Sequence, residues 1–441
     1  MEYTFVQESA AATTQTPISL ARNEIEQAAE SGREVADLRE ELTRVDADHD
    51  AALIALYEAA LARPEPPDWP HFEGSRLADI LAELAPAGPS QRPDRLDDRV
   101  RGAWAGRVVG NMMGKPFEGG ARRLGVKEYL LSYDAYPLTG YVPYADGGAT
   151  SVFGSWGFDG VTEGRIDGSI RDDDVDYTVL GLHILENYGD GYTSRDVATE
   201  WLYRFPVYQV YTAERATYQN LVREIPFERV GEFRNPYREW IGALIRADIF
   251  GYVAPGNPRR AAMLAYADAA LSHRANGIYG EMWAAALVAS AFTATSAKAS
   301  VVESLQHIPP TSRLATEITA VLADFERGAS WEEAMEALER RYPTMSWVHT
   351  INNAGALAAA LLWGDGDFGA TTGLAVQAAL DTDSIGATAG SWAGAFLGYD
   401  AIPAALVEPL RGRISSAVFG FGESGIDDLA ARTLRLAGRR R

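Results

Sequence analysis

The sequence predicts an all-α fold, an orthogonal helical bundle with an N-terminal helical extension. Three observations carry this. From residue 96 onward apolar residues recur at helical spacing in segment after segment. Alternation at strand spacing is scarce, and only 141–151 suggests a short strand. No repeat of solenoid period is present.

Taken in order, residues 1–17 read as a mobile arm rich in Thr, Gln and Ala. Residues 18–62 read as helix, with Glu and Arg alternating with Ala, Val and Leu as on a solvated face. Pro64-Glu65-Pro66-Pro67 stops it. A short helix is expected over 77–84, followed by a linker holding Pro86, Gly88, Pro89 and Pro93. This divides the chain into an extension, 1–95, and a body, 96–441. Within the body the periodicity predicts helices over 100–109, 178–187, 194–204, 211–223, 238–250, 258–272, 279–293, 314–328, 331–341, 351–363, 368–380 and 385–397. Ser194, Asn257-Pro258 and Ser330 mark helix starts.

Composition narrows the function. The chain has 441 residues and a net charge of -21, so nucleic acid is not an expected partner, since phosphate binding needs a basic face. There are no cysteines, which excludes disulfides, thiolate zinc sites and a cysteine nucleophile, and favours the cytoplasm. Six histidines without metal spacing argue against zinc. Met1-Glu2-Tyr3-Thr4-Phe5 does not begin a signal peptide, and the longest apolar run, 356–363, is too short to span a membrane. The sequence assigns no oligomeric state. G-x-S-x-G, Walker A and dinucleotide-binding fingerprints are absent.

Two acidic clusters stand out: Asp172-Asp173-Asp174 and Asp381-Thr382-Asp383-Ser384. Each runs into a predicted helix, the second into the small-residue segment from Ile385 to Leu397. Acids at helix starts often cap solvated surface. The second cluster, however, lies between apolar segments, and buried carboxylates without partners are costly. A hard divalent cation would offset the repulsion, because carboxylate and hydroxyl oxygens are its natural ligands.

Other motifs are less specific. Gly102, Gly106 and Gly110 line one helix face every fourth residue, which lets another backbone approach. That helix ends in Gly114-Lys115-Pro116, and Glu118 just beyond is a candidate gate or base. Asn235 and Arg238 lie among aromatic residues, in a composition suited to a polar, ring-bearing substrate. His273 and Asn276 form a further polar group, with a satisfied core histidine as the plainer reading. Asn352 and Asn353 begin a small-residue helix and could bond a sugar or cap the helix. Gly364-Asp365-Gly366-Asp367 lacks the downstream spacing of an EF-hand and reads as a turn.

In this order the motifs resemble the ADP-ribosylglycohydrolase family. The carriers are Asp98-Arg99 with Gly102 on the first helix, Asp172-Asp173-Asp174, the 235–240 and 272–273 segments, and Asp381-Thr382-Asp383-Ser384 with Gly386, Gly390 and Gly394. The resemblance spans roughly 96–403. It implies a compact all-α domain holding two Mg²⁺ ions, with Mn²⁺ as an alternative. It also implies the ligand set Asp172, Asp173, Asp174, Asp381, Asp383 and Ser384, and matches the family's acid after the first helix to Glu118. Three positions depart from the family pattern: Asp172 replaces a threonine, Val175 replaces a threonine, and Asn111 replaces an aspartate.

The implied activity is hydrolysis of a ribosyl glycosidic bond, with divalent ions supplying an activated water and an anchor for the ribose diol. Asp174 or Asp383 would accept the proton. The expected substrate is a small NAD- or nucleotide-derived riboside. An ADP-ribosylated protein is the first alternative. The second is a non-catalytic nucleotide- or sugar-binding protein on the same scaffold, and the third is a structural role for the acids.

Overall fold

A computed structural model describes residues 15–119, 122–144 and 160–438. Two central helices, Leu96–Gly114 and Thr382–Leu397, lie antiparallel with their backbones in contact. A Cβ added to Gly102, Gly106, Gly110 or Gly114 would fall 2.4, 2.1, 1.9 or 2.1 Å from the carbonyl oxygen of Gly394, Gly390, Gly386 or Thr382. The four-residue spacing puts one small residue per turn on each facing stripe. The approach expected for Gly102, Gly106 and Gly110 is therefore real, and its partner is the helix that follows the second acidic cluster.

Other helices close around this pair. Asn276–Ala291 is buried along its whole length, and Thr350–Gly364 nearly so, which explains why both are apolar all round. Phe368–Gln377 packs between Thr350–Gly364 and Thr382–Leu397. Two buried indoles of this core find partners: Trp392 Nε1 donates to Ser300 Oγ at 2.8 Å, and Trp104 Nε1 to Thr433 Oγ1 at 3.0 Å. The all-α class is correct. Among the described residues the strands are one short antiparallel pair, Arg413–Ser415 with Glu423–Gly425.

Most predicted helices form within a few residues of their expected bounds. Ser330 and Glu333 make a capping box, and Asn257 accepts from Arg260 N at 3.1 Å. Thr193, one residue before the expected Ser194, forms the capping box with Asp196. The helix expected over 238–250 is not continuous; regular helix is confined to Asp248–Val253, after a 3₁₀ turn at Leu244–Arg246. The backbone there pairs elsewhere: Ile241 N donates to Val348 O at 2.8 Å and Thr350 N to Glu239 O at 3.1 Å. Arg123–Ser132, Ala297–Leu305 and Ile426–Ala437 are further helices that the periodicity reading passed over. Residues 141–144 are irregular, and the rest of the expected 141–151 strand lies outside the described residues. So do residues 1–14 of the expected arm. Gly364-Asp365-Gly366-Asp367 is a turn, with positive φ at Asp365 and Gly366, and Asp367 caps the next helix.

Before residue 96 the described chain forms four helices: Pro17–Glu30, Ala36–Leu42 and Asp50–Leu61 surround a small apolar cluster of their own, and Leu77–Glu83, the short helix expected there, sends Ile80 into the main core. Buried ion pairs tie this extension to the body. Arg238 donates to both carboxylate oxygens of Glu24, at 2.8 and 2.7 Å, and Arg313 pairs with both Glu73 and Glu239. Among the described residues no helix is long and apolar enough to cross a membrane.

Candidate metal centre

The antiparallel glycine contact has a direct chemical consequence. It brings the C-terminal end of Leu96–Gly114 to the N-terminal end of Thr382–Leu397, and Thr382 Oγ1 donates to Gly114 O at 2.7 Å. One residue beyond Gly106, Gly110 and Gly114 come Arg107, Asn111 and, at the helix C-cap, Lys115, a polar stripe with the same four-residue spacing. That stripe meets the helix Asp173–Tyr188, whose N-cap is Asp172.

Arg107 is fully buried. It donates from Nη2 and Nε to the Asp174 carbonyl oxygen at 2.8 and 3.2 Å, and pairs with Asp248. Asn111 Nδ2 donates to Asp172 Oδ1 at 2.9 Å and reaches Asp174 Oδ2 at 3.4 Å. Lys115 Nζ donates to Asp172 Oδ2 and to Asp383 Oδ2 at 2.9 Å, and forms an ion pair with Glu118 Oε2 at 2.7 Å. Ser384 Oγ donates to Asp174 Oδ2 at 3.2 Å. Asn353 Oδ1 accepts from Asp381 N at 3.0 Å and so fixes the start of the second acidic helix.

Two carboxylate groups result. Asp172, Asp174 and Asp383 each offer an oxygen within 4.8 Å of the others, and so do Glu118, Asp381 and Asp383. Asp383 belongs to both. The clusters, more than two hundred residues apart in sequence, therefore converge. Asp172, Asp174, Asp381, Asp383 and Ser384 are buried, while Asp173 and Glu118 are partly exposed. Asp173 belongs to neither group. Val175 is buried in apolar core, consistent with its inability to ligate.

The electrostatics call for positive charge. Burial, then Asp172 and Asp383, pushes the Asp174 carboxyl well above the carboxylate range. Burial, then Asp383 and Glu118, does the same to Asp381. Burial, then Asp383, raises Glu118. Asp173 is pushed up to about 7 by burial and by Asp172. Burial also opposes the charge on Asp172, but Lys115, the hydrogen bond from Asp174 and Arg171 together outweigh it and hold that group at about 2. Asp174 Oδ1 and Asp383 Oδ1 are buried without a hydrogen-bond partner. Asp174 Oδ1 does lie 3.5 Å from Arg107 Nη2; carboxylate oxygens that accept no hydrogen bond, in two groups that share a member, are suited to a hard divalent cation, so these acids could hold metal.

The remaining residues singled out in the sequence lie in other bonding networks. Asn235 Nδ2 donates to the Gly231 and Ser272 carbonyls. Arg238 is engaged by Glu24. His273 Nδ1 bonds Ser272 Oγ at 2.8 Å. Asn276 bonds Glu73, Glu239 and the Leu314 N–H. Asn352 Nδ2 donates to Ser346 O. Of these, only Asn353 bonds an acidic-cluster residue. Sequence reasoning gave no role to Lys115 or Arg107. The signal available for them was the spacing 107, 111, 115 beside the glycine stripe.

The sequence profile of the ADP-ribosylglycohydrolase family matches residues 92–441. A solved structure described as an ADP-ribosylglycohydrolase-related protein complex is similar at 18% identity over 78% of this chain and 98% of its own, with a TM-score of 0.44. No curated protein sequence matches. With its profile match extending over residues 92–441 and including both acidic clusters, the chain belongs to the ADP-ribosylglycohydrolase family and is a glycohydrolase of that superfamily.

Proposed function

We propose that this chain is a Mg²⁺-dependent glycohydrolase that cleaves the ribosyl bond of a small ADP-ribosylated or N-ribosylated molecule derived from NAD or a nucleotide. The observation that carries the metal part is Asp383, one carboxylate shared by two buried acidic groups and left with a partnerless oxygen. Asp174, Asp381, Asp383 and Ser384 would hold the cation. Bound there, it would supply Lewis acidity toward a water and toward ribose hydroxyls.

The protein's own groups do the rest. Asp174 and Asp383 are the candidate proton acceptors. Glu118, at the more exposed edge of the cluster, is the candidate gate or acid, since burial and Asp383 favour its protonated form. Arg107 and Asn353 hold the two acidic helix starts in register through the Asp174 carbonyl and the Asp381 N–H. Pre-set ligands of this kind lower the cost of ordering the reacting groups.

The test is turnover of free N-ribosides and ADP-ribosides against a mono-ADP-ribosylated arginine protein, with Mg²⁺ in excess and again with chelator. Release of free ribosyl product from a small riboside, lost on chelation and restored by Mg²⁺, is expected. Turnover of the protein substrate alone would assign the protein-directed role instead. Nucleotide binding without any turnover would point to the non-catalytic reading.

A further inference from the structure

Lys115 lies among the carboxylates of this cluster. Its side chain is 3% exposed, and its ammonium meets three carboxylates: Asp172, Asp383 at 2.9 Å and Glu118 at 2.7 Å. Asp172 comes from one acidic group, Glu118 from the other, and Asp383 is shared by both. Compact, charged and ringed by carboxylate oxygens, the ammonium is a cation that cannot dissociate, because it is tethered to the helix carrying Asn111.

Asp172 is fully used by this arrangement. Its Oδ1 accepts from Asn111 Nδ2 at 2.9 Å and from Asp174 N at 3.1 Å, and its Oδ2 takes Lys115. Asp172 is also the position at which the family pattern has an uncharged threonine. The extra acid and the buried lysine are partners, so the added negative charge arrives with its own counter-ion. Among the aspartates of the cluster, buried oxygens without a hydrogen-bond partner remain on Asp174 and Asp383.

We infer that the Lys115 ammonium stands in for one of two divalent cations, so that the chain holds a single resident ion, through the oxygens of Asp174 and Asp383 that accept no hydrogen bond. This rests on the metal-dependent reading above and changes its stoichiometry.

The test counts ions rather than turnover. Metal-free full-length protein is titrated with Mn²⁺, and bound metal per chain is measured by calorimetry and elemental analysis. Electron paramagnetic resonance distinguishes an isolated ion from a spin-coupled pair. One uncoupled ion is expected in the native chain, and a second, coupled ion in Lys115→Met. Asp172→Thr combined with Lys115→Met removes both members of the ion pair, and it serves if the single variant does not fold. It should also bind two. Two ions in the native chain would overturn the inference, as would one ion in the native chain and in both variants. No ion in any of the three proteins would instead defeat the metal-dependent reading on which the inference stands.

Discussion

Arg107 holds Asp174 chiefly by its backbone, donating two hydrogen bonds to the Asp174 carbonyl oxygen at 2.8 and 3.2 Å, while its Nη2 lies 3.5 Å from the carboxylate that faces Asp172 and Asp383. The same guanidinium pairs with Asp248 and bonds Ile245 O. It is fully buried. Arg107→Met would strand Asp248 as an uncompensated buried acid, and breaking such a pair costs about 3–5 kcal/mol. Urea unfolding of the variant should show a loss of that order. Arg107→Lys should recover only part, because an ammonium cannot make the forked contacts.

Asp383 is the carboxylate common to both acidic groups. Asp383→Asn should keep the helical circular dichroism of the parent but lose both the rise in melting temperature on adding Mg²⁺ and the release of ribosyl product. Ligand-linked stabilisation scales with the logarithm of free ion over its dissociation constant, so a weakened site appears directly in the melt. An undiminished Mg²⁺-dependent rise would remove Asp383 from the ligand set.

The glycine contact gives a sharper structural test. A methyl group on Gly106 would lie 2.1 Å from Gly390 O, a backbone atom that cannot move without its helix. Gly106→Ala should destabilise the fold by about 3 kcal/mol, the upper part of the usual overpacking cost. Gly140→Ala, where an added Cβ meets nothing within 4 Å, should stay within ~0.5 kcal/mol of the parent. Thermal melts of the two variants side by side decide it.

Glu30 provides a pH dependence. Burial, opposed by the Ser346 N–H and reinforced by Glu239, pushes its carboxyl up to about 7. The folded chain therefore binds a proton there between the unfolded pKa near 4.5 and pH 7. Stability falls as pH rises through that window and is flat above it. The contribution is roughly 3 kcal/mol at most. Glu30→Gln keeps the acceptor for Ser346 N, so it should flatten the decline and be the more stable protein at pH 8. Unfolding curves from pH 4.5 to 8 measure this.

What could be read from the sequence follows a physical pattern. Local periodicity located most helices because apolar spacing is a property of neighbouring residues. The 238–247 stretch broke this rule, since Ile241 N and Glu239 O are taken by the 348–350 segment. The two acidic clusters and the glycines at 102, 106 and 110 were visible as residue types. The partners of Lys115 were not, because Asp172 and Asp383 lie 57 and 268 residues away in the chain. Asn276 and Asn352 looked like ligand contacts because side-chain amides bond sugars and backbones equally well. The fold directs Asn276 to acids and to the Leu314 N–H, and Asn352 to the Ser346 carbonyl.

The contact between Gly114 and Thr382 spans 268 residues of chain. At ~5–20 residues per second of translation, the first helix waits about 15–50 s for its mate to leave the ribosome. In that interval Asp172 can already pair with Lys115, whereas Asp174 has neither Asp383 nor Ser384 beside it. The lysine is thus the counter-ion available to the nascent chain, and the shared carboxylate arrives last. A polypeptide that stops at Thr382 carries four of the five acids in the two groups and lacks the one that joins them.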